Sequence, residues 1–521
     1  MRRVDHVSMA TVGGLMGVPS HVLPRLHRTE RVPAPRLLVV LVLLAGVLFL
    51  GYGSQTIAAP FGDSHDGRNA GVWVAAGRAI RESGPLASRL GTRTPENGVY
   101  ANHPPLIAVE VALVEAVAGR SNAASRAPAW VGSLVAIGLL AVLLSERGMP
   151  PGAAGAAVAL VVATPMFLVF GTMLDTPVTS LPFGIGVLVL WERARRGRRV
   201  HPALAAGLAA LAALAGWQSL LVAGLVAAWA GVRVLRRRRP VGAEAGFVAG
   251  ALAGAGLLTA WLWWGLGGTL RPLTEAYTVR TGDGPENVAL GRLAATLVHD
   301  GRAMFGVVLL LGLLGLVPAL ARRSTRGLTA VALAATVPYP LVFRTGAVNH
   351  EYWNYWFVLP LAIGLAAGAA WVVDIVGRGA AGPAVAATAG VLATAMAVGA
   401  WVRPTPAAWA LREGVRAGAA AEAATLGAGQ KAGWYAGAVG RPAAWVGLAE
   451  RRPALPVSPD DAGRLAAERP GDTVLVGRVR CLATGAPHVD YSLESLADLL
   501  ARPPEIALCR TSPQPSRGVG R

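Results

Sequence analysis

The sequence predicts an all-α polytopic membrane domain of about eleven transmembrane helices, followed by a small extracytoplasmic α/β domain. Three observations predict it. Of the 521 residues, 54% are hydrophobic and only 15% are charged, where soluble domains carry about 25% charged residues. The apolar residues gather into runs close to the 20 or so that a membrane-crossing helix needs. The net charge of +19 is confined largely to short segments between those runs. This composition excludes disorder and collagen. It leaves too little soluble chain for a basic groove, so no nucleic-acid partner is expected.

The first 35 residues are a basic tail, in which Met9 and Met16 are alternative starts. The apolar runs then cover 36–53, 127–145, 152–170, 176–192, 201–215, 217–232, 245–266, 303–321, 328–344, 356–376 and 382–402. The fifth and sixth are nearly continuous and part at Gly216 and Trp217. Residues 37–50, with Ala58-Ala59 downstream, have some features of a cleaved signal peptide. The basic region before them is too long for one, and Pro60 is unfavourable after a cleavage site, so the run is read as the first span.

The connections alternate in character. Five are short and rich in arginine: Arg147; Arg193, Arg195, Arg196, Arg198 and Arg199; Arg233 and Arg236 to Arg239; Arg322, Arg323 and Arg326; and Arg378. The positive-inside rule places these and the N-terminal tail in the cytoplasm. The others, 54–126, 267–302, 345–355 and the chain after 402, are mixed in charge and face outward. The protein is therefore expected in the cell membrane, multi-pass, with its N-terminus inside and its C-terminal domain outside.

Residues 403–510 read as the α/β domain. Strands are expected at 473–476 and 505–508, and helices around 412–426 and 492–501. An oxidising compartment permits a Cys481–Cys509 disulfide, worth roughly 3.5 kcal/mol in the chain-entropy picture; the alternative is two buried thiols. Residues 511–521, rich in Pro, Ser, Gly and Arg, read as a disordered tail.

Polar groups with chemical potential gather at the outer ends of the runs. The large loop 54–126 opens Gly62-Asp63-Ser64-His65-Asp66-Gly67-Arg68-Asn69, two carboxylates and an imidazole within four residues. A helix over 69–83 follows, with Val72, Trp73, Ala76 and Ile80 on one side, the pattern of a helix lying at the membrane interface. Next come Asn102-His103-Pro104-Pro105 and a second apolar helix over 106–118. The prolines fix His103 in an extended or turn geometry. Asp175, in Leu174-Asp175-Thr176-Pro177, stands at the outer start of the fourth run. Its surroundings suit a helix cap, which does not exclude a role in chemistry. Asn349-His350-Glu351-Tyr352-Trp353 mixes an aromatic belt with a His-Glu pair that a belt does not require. Arg271 and Arg280 lie in the outer loop 267–302.

This series of motifs resembles the GT-C glycosyltransferases, and among them the bacterial protein O-mannosyltransferase and aminoarabinose transferase group (glycosyltransferase family 39-like). The resemblance rests on His65-Asp66-Gly67-Arg68-Asn69, Ala76-Gly77-Arg78, His103-Pro104-Pro105-Leu106, Leu174-Asp175-Thr176-Pro177, Gly216-Trp217-Gln218-Ser219 and Asn349-His350-Glu351-Tyr352-Trp353. It spans about 36–400. It implies transfer of a sugar from a polyprenyl-phosphate donor to an extracytoplasmic acceptor hydroxyl on a protein, lipid or polysaccharide, with inversion. It further implies a carboxylate base in the first loop, for which Asp66 is the best match and Asp63 the runner-up. The family often has two adjacent acidic residues here. Gly67 follows Asp66, so a second carboxylate has to come from elsewhere, and Asp175 is the candidate.

The chemistry fits these roles. A hydroxyl becomes a good nucleophile when a positioned base takes its proton. The departing lipid phosphate gains negative charge that cations and donors must stabilise. Arg68, His65, His103, Arg271, Arg280, His350, Glu351 and Tyr352 are the substrate-binding candidates, arginine being suited to bidentate phosphate contact. The resembling group mostly works without a metal, so no cofactor is expected, although Asp63, His65 and Asp66 have the chemistry to hold a divalent ion. The alternatives from other classes are a secondary transporter and a membrane-anchored binding scaffold. A transporter predicts short loops, an internal repeat and charges in mid-membrane. The long first loop and the charge-poor runs count against it.

Overall fold

The computed structural model describes residues 35–62, 64–94, 98–100, 102–237, 242–281, 288–376, 378–412, 414–416, 433–437, 473–481, 487–495 and 498. The expectations for residues 1–34, Asp63, the strand at 505–508, the Cys481–Cys509 bridge and the 511–521 tail lie outside the described residues.

Helix follows helix along the chain: α1 (Pro35–Gly53), α2 (His65–Ala87), α3 (Leu106–Ala118), α4 (Asn122–Glu146), α5 (Pro151–Val162), α6 (Pro165–Phe170), α7 (Thr176–Thr179), α8 (Leu181–Arg195), α9 (Pro202–Ala215) and α10 (Trp217–Arg237). Then come α11 (Gly242–Gly265), α12 (Arg271–Thr281), α13 (Leu290–Phe305), α14 (Val307–Ala321), α15 (Arg323–Thr336), α16 (Pro338–Val342) and α17 (Arg344–Asn349). A 3-10 turn, Glu351–Phe357, leads into α18 (Val358–Val376) and α19 (Arg378–Val402). A short antiparallel pair, β1 (Arg93–Thr94) and β2 (Gly98–Val99), lies between α2 and α3.

All eleven expected runs are helical over most of their length. Among the described residues, six helices are long and apolar enough to cross a membrane, or seven if the bent pair α13 and α14 counts as one span. Part of the shortfall is length, since α8 has 15 residues and α9 has 14, and part follows from proline. Pro lacks an N–H and disfavours helical geometry in the residue before it. Thr164, extended before Pro165, therefore splits 152–170 into α5 and α6, while Val337 keeps helical angles and α15 ends where Pro338 lacks its N–H. The 303–321 run is also not a single rod. Gly306, at φ 55°, turns the chain between α13 and α14 by 107°, so α13 belongs with the loop that precedes it.

The outward faces of the long helices are apolar. Val40, Leu43 and Val47 on α1 are 58%, 63% and 66% exposed, and Leu310, Leu313 and Val317 on α14 are 60%, 50% and 67% exposed. A contiguous apolar surface of this size is unstable in water and suited to lipid. Inward packing uses small residues, as is common between membrane helices. Gly246, Gly250 and Gly254 of α11 lie against the backbone of α9, where a Cβ on Gly250 would come 2.1 Å from the Ala206 carbonyl oxygen. Gly315 and Gly364 bring α14 and α18 equally close.

The arginine-rich connections are more than topological markers. Buried Glu192 pairs with Arg147 and Arg195, buried Glu146 with Arg193 and Arg198, and Glu244 with Arg233. The Arg233–Glu244 pair joins α10 to α11. The Glu192 and Glu146 pairs knit the C-terminal ends of α4 and α8 together, with the basic groups at the favourable pole of the helix dipole. The polar groups singled out as site candidates lie at the opposite, N-terminal ends of the same two helices.

Near the C-terminus, β3 (Gly433–Gly437), β4 (Thr473–Cys481) and β5 (Pro487–Ser495) form a sheet of that order, parallel then antiparallel, with Gly433 opposite Thr473 and Val474 opposite Glu494. The strand at 473–476 is present. Of the helix expected around 492–501, residues 492–495 instead continue β5 and Asp498 is helical; 496, 497 and 499–501 are not described. Val489, Tyr491 and Leu493 alternate with His488, Asp490 and Ser492, and that period of two belongs to a strand. The helix expected over 412–426 is seen at 406–412 and 414–416; residues 417–426 are not described.

Candidate active site

The head of α2 organises the site. Ser64 caps the helix, its side chain accepting from the Gly67 N–H. Gly67 occupies a position no side chain can take, because a Cβ there would sit 1.8 Å from the carbonyl oxygen of Gly62. This packing explains why no second carboxylate follows Asp66. Gly84, at φ 83°, and Pro85 kink the far end of the helix.

Asp66 is only 4% exposed, and its Oδ2 accepts from Arg126 Nη2 at 2.7 Å. Arg126 is fully buried. Its Nη1 donates to the Ala59 carbonyl at 2.6 Å, and its guanidinium lies 3.6 Å from the Phe61 ring centre. Sequence reasoning missed Arg126. An arginine one residue before an apolar run reads as an interfacial anchor, and nothing local ties it to a carboxylate 60 residues earlier.

Asp175 is the hub of a second network. Its Oδ2 accepts from Asn69 Nδ2 at 2.7 Å, and its Oδ1 accepts from Trp73 Nε1 at 3.3 Å and from the Thr176 N–H at 2.7 Å. It is thus both the cap of α7 and the anchor of the first turns of α2. Asn69 also donates to the Tyr352 hydroxyl at 3.0 Å, which joins the 3-10 turn to the same network. Burial pushes the Asp175 carboxyl up to about 6, against the lowering effect of its hydrogen-bond donors.

The imidazoles form an aromatic wall. His65 and His350 meet edge-on with ring centres 5.0 Å apart, and Tyr352 lies 5.4 and 5.3 Å from them. His350 also tilts against Trp353 at 5.8 Å. His103 is buried beside Trp73, with its Nδ1 3.4 Å from the Thr176 hydroxyl. Two cavities flank the wall. One, of about 270 Å³, is lined by Ser64, His65, Asp66, Val169, Phe170, Met173, Glu351, Pro406, Ala407, Ala410 and Leu411. The other, of about 200 Å³, is lined by Asn102, His103, Trp217, Leu273, Ala276, Tyr277, Arg280, Tyr339, Phe343 and Trp353.

The structure thus brings together His65, Asp66, His103, Asp175, Arg280, His350, Glu351 and Tyr352. Arg68 is near enough to act electrostatically on His65. Arg271 lies apart from this cluster, 82% exposed and paired with Glu275 along its own helix. Asp63 lies outside the described residues. Among those residues no group of three or more His, Cys, Asp or Glu is placed to hold a metal ion.

Burial lowers His103 to about 3 and His350 to about 4, helped by the positive charge of Arg280 near both. A folded-state pKa below the unfolded value of 6.5 stabilises the protein above pH 6.5 and is lost as pH falls toward 3–4. Asp175 works in the other sense, its contribution being present at low pH and lost as pH rises through about 6. Glu110, raised by burial to about 8, and Asp300, also raised, act in the same sense as Asp175. Each lowered histidine by itself contributes a fall in stability of up to about 1.4 kcal/mol per pH unit as pH drops from 6.5 to 4. His103→Gln should take its share out of the pH dependence of the thermal midpoint; an unchanged slope would remove this imidazole as a source.

A larger apolar groove of about 1080 Å³ runs between α5, α14, α18 and α19, with Arg322 at its rim. It lies toward the arginine-bearing ends of these helices. Its first α18 residue, Leu365, is about 20 Å along the chain axis from Tyr352.

No protein-family profile and no curated protein matches the sequence. Solved structures do match in fold. ArnT from Cupriavidus metallidurans in the apo state superposes with a TM-score of 0.55 at 14% identity, covering 85% of this chain and 93% of that one. ArnT bound to undecaprenyl phosphate gives 0.53 at 14% identity over the same shares. The archaeal oligosaccharyltransferase AglB from Archaeoglobus fulgidus, in complex with an inhibitory peptide and a dolichol-phosphate, gives 0.50 at 13% identity, covering 88% of this chain and 74% of that one. At these identities the likeness is one of fold. The chain shares the fold of these solved structures.

Proposed function

We propose that this protein is an integral-membrane glycosyltransferase that moves a sugar from a polyprenyl-phosphate donor to an acceptor hydroxyl on the outer face of the membrane, with inversion at the anomeric carbon. The observation that carries the reading is the convergence of one buried polar constellation at a single end of the helix bundle. Two anchored carboxylates, three imidazoles and an arginine surround two small cavities there, in a fold whose solved members include one bound to undecaprenyl phosphate and one bound to a dolichol-phosphate.

The base that takes the acceptor proton is Asp66, at the head of α2. Arg280 reaches the same cluster from α12 and, with the neutral imidazoles of His103 and His350 as hydrogen-bond donors, stabilises the departing phosphate. Arg68, Glu351 and Tyr352 complete the binding surface. The acceptor is a protein, lipid or polysaccharide hydroxyl. The N-terminus lies in the cytoplasm, and the chain after α19 lies outside.

The reading is tested with the purified protein in lipid nanodiscs, given undecaprenyl-phosphate mannose or undecaprenyl-phosphate arabinose and a membrane fraction as acceptor. Release of undecaprenyl phosphate with label appearing in the acceptor is the expected result. Arg280→Ala should weaken donor use about 10- to 100-fold, the size of one charge-assisted contact, with a smaller effect on acceptor use. Equal effects on both would remove Arg280 from the phosphate site.

A further inference from the structure

We propose that the apolar groove between α5, α14, α18 and α19 is a binding site for one anionic phospholipid, taken from the leaflet that meets the arginine-bearing ends of these helices.

The groove encloses about 1080 Å³, at the top of the range that small-molecule pockets reach. Its walls are short side chains. Gly315 of α14 and Gly364 of α18 draw those two helices together, and Ala381 and Ala384 on α19 do not fill the space beside them. Apolar space open to a bilayer takes up hydrocarbon, which is as apolar as the leucines around it. The groove shares no residue with the two cavities beside the head of α2.

Its length matches one leaflet. The α19 residues that line it run from Ala381 to Leu392, about 16 Å at 1.5 Å per residue. Half of the hydrocarbon core of a bilayer is about 15 Å. Trp371, half-exposed on the groove wall in the last turns of α18, stands where an indole meets the headgroup level.

The charge at the mouth selects the headgroup. Elsewhere at this end of the bundle buried Glu192, Glu146 and Glu244 pair with arginines. At the groove the arrangement is different. Arg322 lines the rim and is paired at 2.9 Å with the half-exposed Asp374. Arg326 donates to the Leu320 and Ala321 carbonyls, which carry no net charge. Arg323 is exposed at the first turn of α15. Two positive charges therefore stand in excess of the Arg322–Asp374 pair. Such an excess at the headgroup level favours an anionic over a zwitterionic phospholipid, about fivefold for each arginine.

The test uses the full-length protein purified in detergent and given phosphatidylglycerol or phosphatidylcholine with the same acyl chains. Retained lipid is counted by native mass spectrometry. The expected result is one phosphatidylglycerol per protein, held about tenfold or more tightly than phosphatidylcholine. Arg323→Gln combined with Arg326→Gln leaves the Arg322–Asp374 pair in place and should bring that preference to about unity. Ala384→Leu combined with Thr388→Leu fills the groove from exposed positions on α19 and should abolish retention of either lipid. Equal retention of the two lipids by the wild type overturns the proposal and leaves the groove to bulk lipid. A preference that survives in the filled variant places the site elsewhere and overturns it too. Displacement of phosphatidylglycerol by an equal concentration of undecaprenyl phosphate would give the groove to that lipid instead. A dimer that forms as lipid is withdrawn, and that the filled variant cannot form, would give it to a second copy of the chain.

Discussion

Replacing Arg126 with methionine is expected to lower the unfolding free energy by about 3–5 kcal/mol, the usual cost of stripping one partner from a buried ion pair. Both partners are out of water, Asp66 at 4% and Arg126 at 0% exposure. The substitution leaves Asp66 without its guanidinium, and the Ala59 carbonyl loses a donor at 2.6 Å. Asp66→Asn should cost a similar amount for the mirror-image reason. The double variant should lose far less than the sum of the two, giving a coupling energy at or above the 0.5–3 kcal/mol seen for residues in contact. Thermal unfolding of the four proteins in one detergent measures this. Additive losses would mean that the two side chains do not act as a pair.

Much of the architecture was legible from hydropathy and arginine placement alone, because lipid leaves few ways to satisfy a backbone. The eleven runs are helical, and the arginines and the candidate site lie at opposite ends of α4 and α8. What hydropathy does not encode is where a helix breaks. Thr164-Pro165, Val337-Pro338 and Gly306 sit inside apolar runs, and only the backbone consequences of proline and of a positive φ divide them.

The site was legible as a list of residues but not as an arrangement. Arg271 and Arg280 are nine residues apart on α12. At 3.6 residues per turn that separation is two and a half turns, so they project from opposite sides. One reaches the cluster and the other is exposed. A sequence shows the spacing, but only packing decides which side is inward. Asp175 could be read as a cap from Thr176-Pro177. Its partners Asn69 and Trp73, more than 100 residues earlier, carry no local mark of that contact. Arg126 was hidden for the same reason. Gly67 is the reverse case, a departure from the family pattern that the close approach of Gly62 accounts for.

Asp175→Ala should be the most damaging change away from the head of α2. The carboxylate accepts from three buried donors, Asn69 Nδ2, Trp73 Nε1 and the Thr176 N–H. A buried donor left unpaired costs about 1–3 kcal/mol, so a loss of about 3 kcal/mol or more is expected in thermal unfolding. The effect on turnover has a separate origin. Asn69 and Trp73 lie one and two turns into α2, and Asp175 fixes them against α7 and, through Asn69, against Tyr352. Without it the head of α2, which carries His65 and Asp66, is free to shift relative to His350 and Glu351. A displacement of about 1 Å in such a constellation can cost about 100-fold in rate, and a kcat reduction of that size is expected at temperatures where the variant remains folded. Asparagine is not a conservative replacement, because its amide presents donors toward Asn69 where the carboxylate presented only acceptors. Asp175→Asn should therefore fall between the wild type and alanine in both stability and rate. Wild-type kcat in a folded Asp175→Ala protein would show that α2 is held at its head by Ser64 and the Asp66–Arg126 pair alone.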